Sequence, residues 1–228
     1  MNVAILFSGG KDSTMALYNA IQSGEDVMYL LSMKSKNDES YMFHVPNIHI
    51  TDLLAEALDI PILSVDTDGV KEEELQDLKN AFEKLKSLGV EAIYTGALYS
   101  VYQKSRIEKL GLEVGLKILS PYWHVNELEY MREIVSLGFK VIICGVAAWG
   151  FDESWLGRVI DYDTIDELVK LNEKYQVNIA FEGGEAETLA VDGPIFKKKI
   201  KILKDKKEWH LDSGVYIIED AILEEKNL

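Results

Sequence analysis

The sequence predicts an α/β protein with a doubly wound parallel sheet, followed by a smaller C-terminal α+β domain. In the first half of the chain, strand-like apolar runs alternate with helical patterns, which calls for parallel strands with helices on both faces. The alternation stops in the segment LSPYWHVN, and the later pattern favours antiparallel strands. We therefore expect two domains, at residues 1–122 and 123–228.

The first domain contains four predicted strands and a clear helical stripe. The strands lie in the runs NVAILF, VMYLLSM, PILSV and EAIYTG. Leu75, Leu78, Phe82 and Leu85 recur at helical spacing, and Gly89 is expected to end their helix. With 47% of its 228 residues hydrophobic, the chain has enough apolar surface for such a core.

A helix is predicted to open the second domain, because Asn126 and Glu129 have the spacing of a capping box. This helix should cover about 126–137, and another should cover about 163–175. A strand is predicted in FKVIICGV, and the glycine-acid segment FEGGEAET is predicted to form a turn. Two antiparallel strands should then follow, in IKILKD and GVYIIEDAIL.

Charge and residue content exclude several classes of function. The formal net charge of −15 repels polyanions and disfavours nucleic acid as a partner. The lysines of FKKKIKILKDKKEW partly alternate with apolar residues, which favours the solvated face of a strand over a basic patch. The single cysteine, Cys144, is predicted to be buried, so disulfides, Cys-rich zinc sites and paired-cysteine chemistry are excluded within one chain. His44 and His49 lack the spacing of a helical metal pair, so we expect no zinc.

No stretch of the sequence approaches the roughly 20 uncharged apolar residues that a membrane span needs. The chain begins with a strand-like run, and not with the basic and then apolar segments of a signal sequence. We therefore expect a cytoplasmic protein with no membrane partner. A homo-oligomer is compatible with the sequence.

The motif SGGKDS, residues 8–13, lies between the first strand and a helix. Such a turn directs the unpaired N–H groups of the helix towards the space above the sheet, where anions bind. Gly9 and Gly10 permit close approach of the backbone, Ser8 and Ser13 add hydroxyl groups, and Lys11 adds a charge. Neither the Walker phosphate loop nor the dinucleotide fingerprint matches. The motif therefore predicts a different kind of nucleotide-phosphate site.

This motif resembles the pyrophosphate loop (PP-loop) of the ATP pyrophosphatase superfamily, whose members cleave ATP between the α and β phosphates. The resemblance implies the adenine nucleotide alpha-hydrolase-like (HUP, Rossmann-like) fold, with ATP and magnesium as cofactors. Lys11 would then neutralise the leaving pyrophosphate, with a salt-bridged surface lysine as the alternative. Asp12 would either help to hold magnesium or cap the helix. The purine is expected above the carboxyl ends of the strands, near the backbone of Met33 and Gly96.

Further motifs narrow the resemblance to one branch of the superfamily. They are MFH at 42–44, Gly96 with Tyr102-Gln103 and Arg106, Trp155-Leu156-Gly157-Arg158, and EGGEAET at 182–188. Together with the loop they resemble the diphthine–ammonia ligase family, from residue 3 to about residue 200. The chain departs from the family pattern at Val101, where many relatives carry an acidic residue, and at Ala186, where some carry Phe.

The resemblance implies the last step of diphthamide synthesis, in which the diphthine carboxylate on elongation factor 2 becomes an amide through an acyl-adenylate. ATP and ammonium would be consumed, and AMP and pyrophosphate released. A carboxylate is a poor electrophile at neutral pH, and adenylation supplies its leaving group. Because the chain has no room for a glutaminase domain, free ammonium is the expected nitrogen donor.

The residues that this interpretation assigns to the site fall into three groups. Catalytic roles are predicted for Lys11, Asp12 and Arg106, and a metal-binding role for Asp12. Nucleotide binding is predicted for Ser8, Gly9, Gly10, Lys11, Asp12, Ser13, Met33 and Gly96. Substrate binding is predicted for His44, Gln103, Arg106, Glu182, Gly183, Gly184, Glu185, Glu187 and Thr188.

Several of these roles have open alternatives. Arg106 and Gln103 would orient the substrate carboxylate or the α-phosphate, unless Arg106 pairs with a glutamate on its own helix. His44 would assist proton removal from ammonium or bind phosphate, unless it is only a polar loop residue. Diphthine carries a quaternary ammonium, which carboxylates and aromatic faces favour. Its pocket is expected between the two halves of the chain. We expect one of the glutamates at 182, 185 and 187 to contribute to this pocket, with Trp123, Trp149 or Trp155, unless these tryptophans are core residues.

Two rival functions remain to be weighed. The first is an RNA-modifying member of the superfamily, which the single cysteine and the charge of −15 disfavour. The second is a non-catalytic nucleotide-binding protein, since a phosphate loop can bind ATP without using it. The second polar motif, at 182–188, argues against a simple sensor.

Overall fold

The computed structural model describes residues 1–35, 46–70 and 73–226 of the chain. The chain forms two compact units. The first comprises Met1–Ser8 and Asp12–His124, and the second comprises Gly9–Lys11 and the chain from Val125 onward. The division of the chain into functional domains at residue 122 stays a prediction.

The first unit contains a parallel sheet of five strands in the order β3-β2-β1-β4-β5. Its elements are β1 Asn2–Leu6, α1 Lys11–Gln22, β2 Asp26–Ser35, α2 Thr51–Leu58, β3 Ile62–Thr67, α3 Glu73–Ser87, β4 Ala92–Tyr94, α4 Val101–Val114 and β5 Lys117–Leu119. The first residue of α1, Lys11, groups with the second unit. The predicted α/β class and its parallel strands are confirmed.

Both faces of this sheet are buried. On one face, Ala4, Leu31, Met33 and Ile93 pack in one cluster with apolar residues of α3 and α4. Successive strand residues point to opposite faces, and the neighbours Val3, Ile5 and Leu30 are also fully buried. A parallel sheet covered on both sides is the doubly wound arrangement. The predicted stripe from Leu75 to Leu85 forms the inner face of α3.

The second unit contains an antiparallel sheet of four strands in the order β7-β6-β9-β8. Its elements are α5 Glu127–Ser136, β6 Lys140–Val146, α6 Tyr162–Tyr175, β7 Ala186–Asp192, β8 Lys198–His210 and β9 Ser213–Glu225. The predicted cap is confirmed, because Oδ1 of Asn126 accepts the N–H of Glu129 at 3.0 Å. Cys144 is buried in β6, as predicted.

One prediction for the second unit is wrong in part. The segment FEGGEAET does not end as a turn, because β7 begins at Ala186 and takes in Glu187 and Thr188. The exposed Glu187 alternates there with the buried Ala186 and Thr188, which is the pattern of a half-buried strand.

Among the described residues, no helix is both long enough and apolar enough to cross a membrane.

The lysine-rich C-terminal segment forms the solvated strand that was predicted. β8 is an edge strand paired with β9, and its lysines form ion pairs with glutamates of the same hairpin, among them Lys199–Glu224, Lys201–Glu224 and Lys204–Glu219. Lys199 and Lys201 lower the pKa of Glu224 from its ordinary value of 4.5 to about 2. Both contacts join neighbouring strands, as cross-strand pairs do.

Glu224→Gln should reduce the loss of stability in acid. The unfolded carboxyl takes up a proton near pH 4.5, whereas the folded one takes it up only near pH 2. The interaction of Glu224 with the two lysines therefore stabilises the fold above pH 4.5, and this contribution is lost as the pH falls towards about 2. The variant should remove up to about one proton of pH dependence in this window, in urea unfolding series at several pH values.

The matched control is Glu173→Gln, on the exposed face of α6. Added salt should shrink the difference between wild type and Glu224→Gln, since the pair is exposed and therefore screened. Equal acid sensitivity of the wild type and Glu224→Gln at low salt would contradict the assigned ion pairs.

Candidate active site

The ends of the predicted phosphate loop are held within the first unit. The N–H of Ser8 donates to Oγ of Ser13 at 3.3 Å, and the two hydroxyl oxygens lie 3.2 Å apart. A Cβ on Gly96 would lie 2.5 Å from the carbonyl carbon of Asp12 and 2.6 Å from the nitrogen of Ser13. Only glycine therefore permits this approach of the β4–α4 connection to the start of α1. Three predicted nucleotide-binding positions, Ser8, Ser13 and Gly96, thus lie around one turn.

The middle of the loop contacts β7 within the second unit. Gly9, with φ of 82°, accepts the N–H of Ala190 through its carbonyl oxygen at 2.8 Å. The N–H of Lys11 donates to Oγ1 of Thr188 at 3.1 Å. Lys11 is 3% exposed and Thr188 is 6% exposed. The two motifs that the sequence singled out, SGGKDS and EGGEAET, therefore meet through Lys11 and Thr188.

The ammonium group of Lys11 lies against an aromatic ring of the same segment. Nζ is 5.7 Å from the centroid of Phe181, within the range of a cation–π contact. Phe181 is buried and has φ of 66°, an uncommon conformation for an aromatic residue. Its ring meets the edge of Phe151, at a centroid distance of 6.3 Å. The side chain and the main chain of Lys11 are thus both held by the segment 181–188.

The carboxylate of Glu185 orders its own loop. Oε1 accepts the N–H of Asn178 at 2.9 Å, and Oε2 accepts the N–H of Gly183 at 2.8 Å. Oδ1 of Asn178 in turn accepts the N–H groups of Ala180 and Glu182. Glu185 was predicted to bind substrate, and here it makes hydrogen bonds that determine the shape of the loop. Its role towards a substrate stays a prediction.

The other residues of the glycine-acid motif present a different surface. Gly183, Gly184 and Glu187 are exposed, and Glu182 is partly buried. Gly184 has φ of 80°, which favours glycine at that position. Glu182 and Glu187 have further contacts within the chain. Their predicted roles in binding the substrate are compatible with this exposure and stay predictions.

The three candidate tryptophans differ in environment. Trp155 is a core residue, 5% exposed, with its ring edge-on to Phe151 at 4.9 Å. Trp123 stacks on His124 at 4.6 Å and lies 5.0 Å from Nζ of Lys104. Trp149 is 79% exposed. Trp155 is therefore a core residue, which was the alternative to a role in the substrate pocket, whereas Trp149 lies on the surface.

Arg106 and Gln103 lie on α4. The N–H of Gln103 donates to Oγ of the cap residue Ser100 at 3.4 Å. The guanidinium carbon of Arg106 lies 3.5 Å from the ring centroid of Tyr102. An ion pair within this helix joins Lys104 and Glu108, and the guanidinium of Arg106 stacks on the ring of Tyr102.

Residues of α3 and α4 line a groove of about 550 Å³. It is lined by Leu75, Gln76, Lys79, Ser105, Arg106, Lys109, Leu110 and Glu113. Arg106, which was predicted to be catalytic, thus lines this groove. Its action on the substrate carboxylate or the α-phosphate stays a prediction.

Three further predicted site residues are placed as follows. Met33 lies inside β2, paired with Val65, and its side chain packs in the core with α3 and α4. Asp12 is in the first turn of α1, where a carboxylate interacts favourably with the helix dipole. His44, with the whole MFH motif, lies outside the described residues.

The described residues contain no group of three or more His, Cys, Asp or Glu side chains placed to hold a metal. Magnesium usually binds through one or two carboxylates together with substrate phosphates, so it does not require such a group. Asp12 stays the predicted magnesium ligand.

Arg158, from the motif at 155–158, is held by hydrogen bonds and an ion pair to side chains of α6. Its guanidinium donates from Nη1 and Nη2 to both carboxylate oxygens of Glu167, at 2.8 and 2.7 Å. Nε donates to Oγ1 of Thr164 at 3.0 Å, and the ring of Trp155 lies 4.7 Å away. Glu167 raises the pKa of Arg158, and Arg158 lowers the pKa of Glu167.

Sequence reasoning missed Asn178, Phe181 and Ala190, which shape the loop and hold Lys11 and Gly9. Asn178 lies upstream of the recognisable motif, and Ala190 acts through its backbone. No side-chain pattern identifies such contacts before the strand pairing is known.

Arg158→Lys should lower the free energy of unfolding, because lysine cannot form the forked pair with Glu167. The expected loss is only about 1 kcal/mol, because the pair is partly exposed and solvent screens it. Urea unfolding followed by circular dichroism measures the change. The control is Arg132→Lys, whose ion pair with Asp166 spans 4.0 Å and is more exposed. Equal losses in both variants would refute a special contribution from the forked pair.

Glu185→Ala should lower the free energy of unfolding by about 2 kcal/mol, because two backbone N–H groups lose a charged acceptor. It should also increase amide exchange at Asn178 and Gly183. Glu173→Ala, on the exposed face of α6, should stay within about 0.5 kcal/mol of the wild type. Unchanged exchange at both amides in Glu185→Ala would show that the carboxylate does not order the loop.

The chain matches a known family over both parts. Residues 1–118 match the family described as Diphthamide synthase N-terminal domain. Residues 126–223 match the family described as Diphthamide synthase C-terminal domain.

Curated relatives agree with these matches. Diphthine–ammonia ligase of Homo sapiens is 34% identical over 220 residues, covering 88% of this chain and 82% of that protein. Diphthine–ammonia ligase of Schizosaccharomyces pombe is 31% identical and covers 94% of this chain, but this corresponds to 38% of the yeast protein.

A solved structure described as a predicted subunit of tRNA methyltransferase from Methanocaldococcus jannaschii covers 87% of this chain, with 17% identity and a TM-score of 0.44. A likeness this distant supports no conclusion about function. The resemblance found in the sequence motifs is confirmed by the family matches and the curated relatives. The chain belongs to the diphthamide synthase family.

Proposed function

We propose that this chain is an ATP-dependent diphthine–ammonia ligase. Its substrate would be the diphthine carboxylate on elongation factor 2, with ammonium as the nitrogen donor and the cytoplasm as its location. The observation that carries the proposal is the contact between Lys11 and Thr188, which brings a loop typical of ATP pyrophosphatases against a motif specific to this family. The curated relatives bear the name of the same activity.

The loop suits the phosphates of ATP in its backbone and its charge. Gly9 has the positive φ that favours glycine, Gly96 leaves no space for a Cβ, and Lys11 supplies a buried cation. The first turn of α1 adds N–H groups aligned with the helix dipole. We assign the pyrophosphate to this turn, with Ser8 and Ser13 as hydroxyl ligands. Magnesium would neutralise phosphate charge beside Asp12.

Adenylation gives the substrate carboxylate the leaving group that it lacks. One carboxylate oxygen bonds to the α-phosphorus as the bond to the β-phosphate oxygen breaks, and pyrophosphate leaves. The ammonia nitrogen then bonds to the acyl carbon and loses a proton, and AMP leaves. Lys11 stabilises the charge that develops on the pyrophosphate, which is the largest charge change of the first step.

The rival functions receive less support. An RNA-modifying role has no support from the family matches or from the net charge of −15. A nucleotide sensor would bind ATP without needing a second substrate. Release of pyrophosphate only in the presence of the carboxylate substrate distinguishes the ligase from the sensor.

The test uses elongation factor 2 that carries diphthine, incubated with the protein, ATP, magnesium and ammonium. Mass spectrometry should show conversion of the carboxylate to the amide, together with AMP and pyrophosphate. Lys11→Ala should lower the rate about 100-fold or more, because one buried charge at the leaving group is lost.

Lys84→Ala, on the exposed face of α3, is the matched control and should keep the wild-type rate. Full activity of Lys11→Ala would refute the role of Lys11. If elongation factor 2 stays unmodified although the protein binds ATP, the proposal that diphthine is the substrate is refuted.

A further inference from the structure

We propose that Thr188 is a positioning residue for the phosphate loop, which it orients through the backbone of Lys11. This role differs from the substrate contact expected from the motif. It rests on the proposed function for its effect on catalysis, but the contact itself can be tested without that function.

The loop lies along β7 as a short antiparallel segment. Gly9 is bonded to Ala190, and Lys11 is bonded to Thr188, so the loop residues advance as the strand residues recede. β7 is the edge strand of its sheet and pairs with β6 on its other side. The edge of a sheet presents backbone groups that seek partners. The loop takes up one of them directly, through the carbonyl oxygen of Gly9.

At Thr188 a side chain replaces the backbone as the acceptor. Lys11 is the first residue of α1, and the N–H groups at the start of a helix need acceptors from outside the helix. Oγ1 of Thr188 accepts the N–H of Lys11 at 3.1 Å. A hydroxyl is therefore used in the manner of a helix cap, although it comes from a distant strand.

The acceptor is rigid. Thr188 is 6% exposed and lies opposite Ile143 in the pairing of β6 with β7. A β-branched side chain in a strand has restricted rotation about χ1. The position of Oγ1 is thus set by the sheet, and the position of the Lys11 backbone follows from it.

The same segment holds the other end of Lys11. The centroid of the Phe181 ring lies 5.7 Å from Nζ of Lys11, so both the backbone and the ammonium group of Lys11 contact the segment 181–188. A catalytic ammonium gains its effect only when it lies where charge develops, and small displacements are costly. The hydroxyl of Thr188 therefore acts on the reaction through Lys11, and does not itself touch the reacting atoms.

Thr188→Val, which keeps the branched shape and removes the hydroxyl, is the decisive variant. It should lower kcat for AMP formation about tenfold, because the backbone of Lys11 loses its anchor. Thr188→Ser restores a hydroxyl and should stay within about twofold of the wild type. Amide exchange at Lys11 should be faster in Thr188→Val than in the wild type or Thr188→Ser.

Thr164→Val is the matched control, because Thr164 is also buried in the second unit and its hydroxyl bonds to Asp161 and Val159. Its kcat per folded molecule should equal that of the wild type. If Thr188→Val does not fold, Thr188→Ala replaces it in the same comparison. Wild-type kcat and Lys11 exchange in the variant without the hydroxyl would overturn the proposal. So would a Thr188→Ser variant as slow as Thr188→Val, since the methyl group would then be the important part.

The exchange measurement separates this proposal from the proposed function. If the wild type does not amidate diphthine, the proposed function fails. Unaltered exchange at Lys11 in Thr188→Val would then still overturn the positioning role, and faster exchange would still support it.

Discussion

The edge of β7 is the constraint on which the candidate site depends. A strand edge and a helix terminus both carry backbone groups that need partners, and burial makes an unmet group costly. Here the carbonyl oxygen of Gly9, in the loop before α1, accepts the N–H of Ala190 at the strand edge, and the side chain of Thr188 accepts the N–H of Lys11 at the helix terminus. Strand β7, aligned with β6, thus holds the loop at Gly9 and at Lys11.

Two positions, one in each unit, show how tightly the backbone is packed. Gly96 leaves no space for a Cβ beside Asp12 and Ser13, so its lack of a side chain is a packing requirement. Phe181 holds a positive φ, which costs free energy in a residue with a Cβ. The ring of Phe181 is buried against Phe151, and this burial offsets the cost. Residues with such strained backbone conformations cluster at active sites and ligand clamps.

Much of the fold could be predicted because its signals are local. The alternation of runs predicted the parallel sheet, and the spacing of Asn126 and Glu129 predicted the helix cap. The site was predicted only as motifs. That Lys11 bonds to Thr188 depends on strand pairing between distant segments, and no local pattern carries that information. Strand β7 was missed because it begins within a segment of glycines and glutamates, which have low strand propensity, and tertiary pairing overrides that propensity.

The carboxylates of the glycine-acid motif illustrate the same limit. Three glutamates in one short segment predict an acidic surface. Yet Glu185 accepts backbone N–H groups and orders the loop. Sequence spacing cannot distinguish a carboxylate that faces its own backbone from one that faces a ligand, since both require the same residue type.

The paired hairpin of β8 and β9 has a consequence for polyanions. Binding to a nucleic acid gains much of its free energy from counterions that lysines release when they neutralise phosphates. The lysines at 199, 201 and 204 already have glutamates as their counterions within the hairpin. A phosphate backbone would have to displace these carboxylates and would be repelled by them. A segment that looks basic in the sequence therefore offers little of the entropy that drives electrostatic association.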